Sequence, residues 1–254
     1  MIQDMGHDYR RRDELRFPLV LFDVGDTLVG PRESFGAVYA RVFASLGVVL
    51  PAEDLELGLR RSWEEINRSL PLGVDRYAAE RGGESAYWLR FVEGTLERTP
   101  HAPQNATLAA RALPLLREAF RDPASWTVFD DVVPVLASLR ASRARLAVVS
   151  NWDSNLPALL TRLGLASWFD AIVVSSLEGM EKPDPSLFLK AVERLGGRPS
   201  QAIHIGDTPE LDEVGARAAG IASLIVDRRL RLPASRGALA DLSSVPAIVR
   251  EGMG

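Results

Sequence analysis

Cysteine is absent from the 254-residue chain, which excludes disulfides and thiolate metal sites. Long apolar runs are also absent. None approaches the ~20 residues a membrane-spanning helix needs, and the N-terminus lacks the charged-then-apolar layout of a secretory signal. These absences predict a cytoplasmic protein with no membrane partner. The net charge of -4 offers no basic footprint for nucleic acid, and Arg10, Arg11 and Arg12 form only a small cluster in a polar tail. Lysine is nearly missing: of 30 basic residues only Lys182 and Lys190 are lysines. Each retained ammonium is therefore a candidate for a specific task.

What is present is apolar enough to build a sizeable core, with 46% hydrophobic and 25% charged residues. Residues 1–17 show no periodic apolar face and read as a polar tail. The stretch Pro18 to Gly30, PLVLFDVGDTLVG, runs four apolar residues into Asp23 and a glycine-containing loop. That pattern predicts a strand buried on both faces, with Asp23 at its carboxyl tip. Residues 34–122 then show helical periodicity, as in Phe35, Val38, Tyr39, Val42, Phe43 and Leu46, and in Trp88, Phe91, Val92 and Leu96. Pro51 suits a helix start, and Pro114 either kinks or restarts the last of these helices. Beyond Pro123, Asp130 or Asp131 is placed to cap a helix, and short apolar strands then alternate with helices: Arg145 to Asn151, Ala171 to Ser175, Ala202 to Gly206 and Ser223 to Val226 are the strands. Such alternation predicts an α/β fold, a three-layer α/β/α Rossmann-like core with a parallel sheet. The first strand belongs with this later block, so residues 18–33 and 123–254 form the expected core and residues 34–122 an inserted all-helical cap domain.

The carboxyl ends of parallel strands converge on one crevice. Asp23 follows the first strand, Ser150 and Asn151 the second, Lys182 the loop after the third, and Asp207 the fourth, with Asp212 five residues on. Asp23 and Asp207 can hold a hard cation such as Mg²⁺, which takes oxygen ligands and is usually bound by one or two carboxylates together with substrate phosphate oxygens. Lys182 offsets the like charges, while Thr27, Ser150 and Asn151 offer donors to an anion. The set fits a phosphoryl oxyanion. Taken singly, Asp23, Asp207 and Asp212 read equally well as turn or helix-capping aspartates, and His204, inside an apolar strand, as a packing residue.

FDVGDTL (Phe22 to Leu28), VVSN (Val148 to Asn151), GMEKPDPSLF (Gly179 to Phe188) and HIGDTPELD (His204 to Asp212) occur in the order in which the haloacid dehalogenase (HAD) superfamily carries its motifs. The chain resembles that superfamily's phosphatase-like branch, with a helical cap after the first motif, over roughly residues 18–228. The resemblance implies that Asp23 is a nucleophile forming an aspartyl-phosphate, that Thr27 and Ser150 hold phosphate oxygens, and that Lys182 balances charge. It also implies that Mg²⁺ is bound by Asp23, Asp207 and the main-chain carbonyl of Gly25, with Asp212 as an outer carboxylate. The implied partner is a small phosphorylated metabolite; oligomeric state is not readable.

Gly25 departs from the pattern. Phosphatases of this group carry a second aspartate there, which protonates the leaving oxygen and later activates water. General acid–base help is worth about 10²–10⁴-fold, so the loss matters. Asp26 is the nearest substitute, although an odd offset in extended chain turns its side chain to the other face. Two other functions stay open: a 2-haloacid dehalogenase-type hydrolase, whose halide leaving group needs no acid, and a catalytically impaired member kept for binding or regulation. The Asp207 and Asp212 pair argues against the first.

Overall fold

The computed structural model describes residues 15–103 and 106–252. Residues 1–14, and with them Arg10 to Arg12, lie outside this range. The chain opens with β1 (Leu19–Phe22), turns into β2 (Val29–Pro31), and runs through α1 (Phe35–Ser45), α2 (Ala52–Ser69), α3 (Arg76–Ala79), α4 (Gly83–Arg98) and α5 (Ala106–Arg121). β3 (Trp126–Val128) returns antiparallel to β2 and pairs Trp126 with Pro31. Helices and strands then alternate: α6 (Val132–Ala141), β4 (Arg145–Ser150), α7 (Leu156–Arg162), β5 (Ala171–Val174), α8 (Ser175–Glu178) and α9 (Pro185–Arg194). β6 (Ala202–Gly206), α10 (Val214–Ala218), β7 (Ala222–Ile225) and α11 (Val245–Glu251) complete it.

Five strands form one parallel sheet in the order β5-β4-β1-β6-β7. The chain builds outward from β1 to β4 and β5, then returns to the other side of β1 to lay down β6 and β7. The order therefore reverses between β1 and β6, the place where such sheets open a crevice beyond their carboxyl ends. Successive side chains alternate between faces. Val20, Phe22, Leu146, Val148, Ile203 and Ile205 join one buried cluster, while Leu19, Leu21, Ala147, Val149 and Ala202 join another with Leu187 and Phe188 of α9. Both faces of the central strands are thus covered, which is why they are uniformly apolar rather than alternating.

Helices α1 to α5 share a separate cluster built on Tyr39, Phe43, Leu55, Tyr87, Phe91, Leu96 and Leu116. Ser34 caps α1 by accepting from the Ala37 amide at 3.2 Å, and Asp75 caps α3 through the amides of Tyr77 and Ala78. Pro51 precedes α2 as its N-cap, and Pro114 lies inside α5, whose assignment runs unbroken past it.

Local pattern missed some elements. The β2/β3 ribbon and α3 are three and four residues long, too short for a period to show. Asp131 precedes α6 but makes no capping bond; its carboxylate instead accepts from Arg228 and from the Leu242 amide. The end of the N-terminal tail is packed: Phe17 is buried and its amide donates to the Val249 carbonyl at 3.0 Å. Among the described residues, no helix is long and apolar enough to cross a membrane.

Candidate active site

Asp23 leaves β1 still in register, its amide donating to Ile205 of β6 at 2.9 Å. Its Oδ1 accepts from Ser150 at the tip of β4 at 2.9 Å and from the Lys182 ammonium at 2.7 Å. Lys182 Nζ also donates to Asp212 Oδ1 at 2.6 Å, so one ammonium bridges two carboxylates. Exposure is 3% for Lys182, 6% for Asp23 and 1% for Asp212, so these charges are inside the protein and must be paired. Burial alone pulls the ammonium toward its neutral form. The charges of Asp212 and Asp23 outweigh that and hold Lys182 above its ordinary range. Burial pushes Asp23 up, with Lys182 opposing, whereas Asp212 is held below the usual carboxylate range because Lys182 and His204 more than offset its burial.

The backbone around the lysine is fixed by the second strand end. Asn151 donates through Nδ2 to the Lys182 carbonyl at 3.0 Å and accepts at Oδ1 from the Lys182 amide at 2.7 Å. Its amide thereby clasps the loop that carries the lysine. Asp212 is equally committed: His204 Nε2 donates to Oδ1 at 2.8 Å and the Thr208 amide to Oδ2 at 2.9 Å. His204 also packs edge-on against Phe188, as a packing residue would, but it holds a site carboxylate as well. Gly206 is needed for this approach, since a Cβ there would lie 2.1 Å from the Asp212 Cγ.

Asp23, Asp207 and Asp212 offer carboxylate oxygens within 4.8 Å of one another. Asp207 is pushed up to about 7, first by burial and then by the charges of Asp23 and Asp212. A site that disfavours ionisation of its third carboxylate lacks positive charge, and a hard cation would supply it. Among the described residues, nothing hydrogen-bonds Asp23 Oδ2, and the loop's backbone bonds converge on the Val24 carbonyl while leaving that of Gly25 free. The Thr27 hydroxyl is buried without a partner. These open acceptors and the orphaned donor fit a cation and an oxyanion, beside an Asp212 carboxylate that already accepts from Lys182, His204 and the Thr208 amide.

Asp26 stands apart. Its backbone has φ 50°, which turns the chain, and its carboxylate accepts from Arg229 at 2.7 Å with Arg231 3.6 Å away. Arg231 also donates to Asp207 at 3.1 Å, and Arg228 donates to the Thr27 carbonyl while lying 4.0 Å over the Phe129 ring. This arginine segment braces the first-motif loop from about two hundred residues away. Nothing local in RRLR distinguishes it from a polar surface turn. A second brace is the buried Arg76–Glu181 pair, with Nε to Oε2 at 2.8 Å and Nη2 to Oε1 at 3.0 Å, which ties α3 to the residue before Lys182. The Glu181 amide also donates to the Gly73 carbonyl at 3.1 Å.

With this geometry in place, comparison with known proteins is informative. The family model described as haloacid dehalogenase-like hydrolase matches residues 17–220. The human haloacid dehalogenase-like hydrolase domain-containing protein 3 is 33% identical over 213 residues, covering 84% of this chain and 82% of the relative. The phosphoserine phosphatase of Thermus thermophilus is 34% identical over 233 residues, covering 84% and 90%. Among solved structures, the HAD phosphatase from Thermococcus onnurineus aligns with a TM-score of 0.61 at 22% identity, covering 91% of this chain and 96% of that one. A 2-haloacid dehalogenase from Pseudomonas syringae aligns at 0.59 with 26% identity, covering 91% and 96%. The order of the strands, the residues at their tips and these matches agree, and the chain belongs to the haloacid dehalogenase-like hydrolase family.

Proposed function

We propose that the protein is a Mg²⁺-dependent phosphomonoesterase that works through an aspartyl-phosphate on Asp23. The observation that carries this reading is the division of labour on that carboxylate: Oδ1 is fixed by Ser150 and Lys182, and Oδ2 is left without a hydrogen-bond partner among the described residues. A carboxylate oriented through one oxygen presents the other to an electrophile. Lys182 opposes the burial that pushes Asp23 toward its neutral form and faces the charge of an incoming phosphoryl group, while Ser150 and the orphaned hydroxyl of Thr27 offer donors to its oxygens. Asp23, Asp207 and the Gly25 carbonyl would hold the metal, which supplies positive charge to the transferring phosphoryl group. Asp212 acts as a positioning residue, orienting Lys182 from the opposite side. The helical layer of residues 34–122 serves as the cap over this edge.

The phosphatase relative supports the substrate class, as does the glyceraldehyde 3-phosphate phosphatase of Methanopyrus kandleri, 30% identical over 215 residues. A dehalogenase reading draws on Gly25 and on the Pseudomonas structure. It leaves Asp207 without a task, because a halide displacement needs no cation site. The test is hydrolysis of p-nitrophenyl phosphate by wild type and Asp23→Asn, with and without Mg²⁺, beside halide release from 2-chloropropionate. Metal-dependent phosphate release that disappears in Asp23→Asn is the expected result. Folded protein inactive on the aryl phosphate with Mg²⁺, Mn²⁺ and Co²⁺ would refute the proposal.

A further inference from the structure

A cavity of about 530 Å³ lies between the helical layer and the sheet edge. Its walls are mostly apolar and rich in aromatic rings, with Tyr39, Trp63, Trp88, Phe91, Trp126 and Trp152 among them. Of the four arginines in the lining, Arg76 is paired by Glu181 and Arg117 by Glu84, while Arg60 and Arg121 add charge at its margin. The floor belongs to the catalytic loops. Asn151 and Trp152 directly follow Ser150, and Arg76 holds Glu181, which precedes Lys182. A Cβ on Gly25 would meet Trp152 Cζ3 at 3.5 Å, so the position that lacks a side chain borders the wall of this cavity.

We infer that the substrate is a phosphate whose leaving group carries an aromatic ring and departs without protonation, an aryl phosphate or an aromatic acyl phosphate, with the ring seated between Trp152 and the α4 aromatics. This rests on the phosphatase reading and narrows it. Two independent observations converge. Gly25 supplies no acid two residues after the nucleophile, which favours a departing oxygen that is a stable anion such as a phenolate or carboxylate. Trp152, the neighbour of Gly25, is one wall of a cavity rich in aromatic faces, which suit a flat apolar group. The indole Nε1 of Trp88 is buried with no partner, a donor that an acceptor on the ring would satisfy. In the first step an Asp23 oxygen bonds to phosphorus while the phosphorus–oxygen bond to the leaving group breaks and that oxygen keeps the electron pair. In the second, water adds to phosphorus, the bond to Asp23 breaks, and the carboxylate returns as dihydrogen phosphate leaves with both protons of the water.

Benzoyl phosphate and acetyl phosphate separate the inference from the reading beneath it, because benzoate and acetate are leaving groups of similar acidity that differ in the ring. With Mg²⁺, and after subtraction of spontaneous hydrolysis, kcat/KM for benzoyl phosphate is expected to exceed that for acetyl phosphate by at least about tenfold, chiefly through KM. Trp88→Ala, and the more exposed Trp63→Ala should the first fail to fold, are expected to bring that ratio below about threefold. Equal turnover of the two by wild type, or a ratio unmoved in both folded variants, overturns the aromatic assignment and leaves a phosphatase. No metal-dependent turnover of either overturns both.

Discussion

Replacing Gly25 by aspartate puts a carboxyl two residues from the nucleophile. Gly25 lies outside the left-handed backbone region, unlike its neighbour Asp26 at φ 50°, so a side chain can be added without backbone strain. The added Cβ would meet Trp152 Cζ3 at 3.5 Å, an ordinary van der Waals contact. An acid there would be two residues from the nucleophile, where it can serve the leaving oxygen. General acid–base participation contributes about 10²–10⁴-fold, or roughly 3–5 kcal/mol at 1.36 kcal/mol per decade. Gly25→Asp is therefore expected to raise kcat on an alkyl phosphate such as methyl phosphate by about 10²-fold. Acetyl phosphate, whose leaving group needs no proton, should gain much less in its first step. The wild-type enzyme should show a burst of p-nitrophenolate followed by a slower steady rate, because nothing at position 25 activates the second-step water, and the variant should lose that burst. Steady-state and rapid-quench kinetics on both proteins give the answer. A folded variant with unchanged alkyl phosphate turnover and an unchanged burst would refute the claim that the missing acid limits the reaction.

Three further outcomes follow from particular contacts. Arg76→Met leaves Glu181 ionised and buried without its partner, so it should lower stability by about 3–5 kcal/mol in denaturant melts, whereas Arg76→Met combined with Glu181→Leu should recover most of that loss. A single variant as stable as wild type would mean the pair is open to water. Arg231→Ala removes a cation that sits 3.1 Å from Asp207, and calorimetric titration should show Mg²⁺ binding tightened by about twofold to fivefold, the range of an exposed ion pair; weaker binding would show that Arg231 assists the metal. Asp153 is pushed up by burial, with Glu84 adding repulsion and the Asn155 amide opposing. A carboxyl raised in the folded state binds its proton more tightly there than when unfolded, so it adds stability as pH falls toward its unfolded value of 3.8 and removes it as pH rises through the raised value. Asp153→Asn should flatten that slope and be the more stable protein at neutral pH; identical pH–stability curves would contradict it.

The strands that carry the site were legible because they are buried on both faces, and only continuous apolar runs such as Leu19 to Phe22 and Leu146 to Val149 satisfy that environment. Each run stops at a small or acidic residue where the chain meets the crevice, so Asp23, Ser150 and Asp207 could be placed from sequence alone. Asn151 also stands at a strand tip, and a side-chain amide looks the same in sequence whether it faces a ligand or clasps a neighbouring backbone as it does here. Asp212 reads in sequence as a capping residue or an outer carboxylate, and the fold gives it three donors, Lys182, His204 and the Thr208 amide, two of them from segments that local pattern does not join to it. The arginine brace was invisible for a different reason. Arg228 and Arg229 reach Thr27 and Asp26 across the fold, and no local pattern encodes a contact between segments two hundred residues apart.

Gly25 and Asp26 show how one loop closes off one chemistry and favours another. Asp26 had been the nearest replacement for the absent acid, but the positive φ that turns the loop also aims its carboxylate at Arg229 and Arg231. That carboxylate is engaged by Arg229 at 2.7 Å and faced by Arg231 at 3.6 Å, so it is not free to turn to a leaving oxygen. The arginine segment that steadies the first motif thereby engages the substitute, and Trp152, which lines the cavity, lies beside Gly25. Neither feature alone would select a substrate. Together they favour a leaving group that needs no proton and is flat enough to lie against indole, which places the burden of selectivity on the ring rather than on an acid.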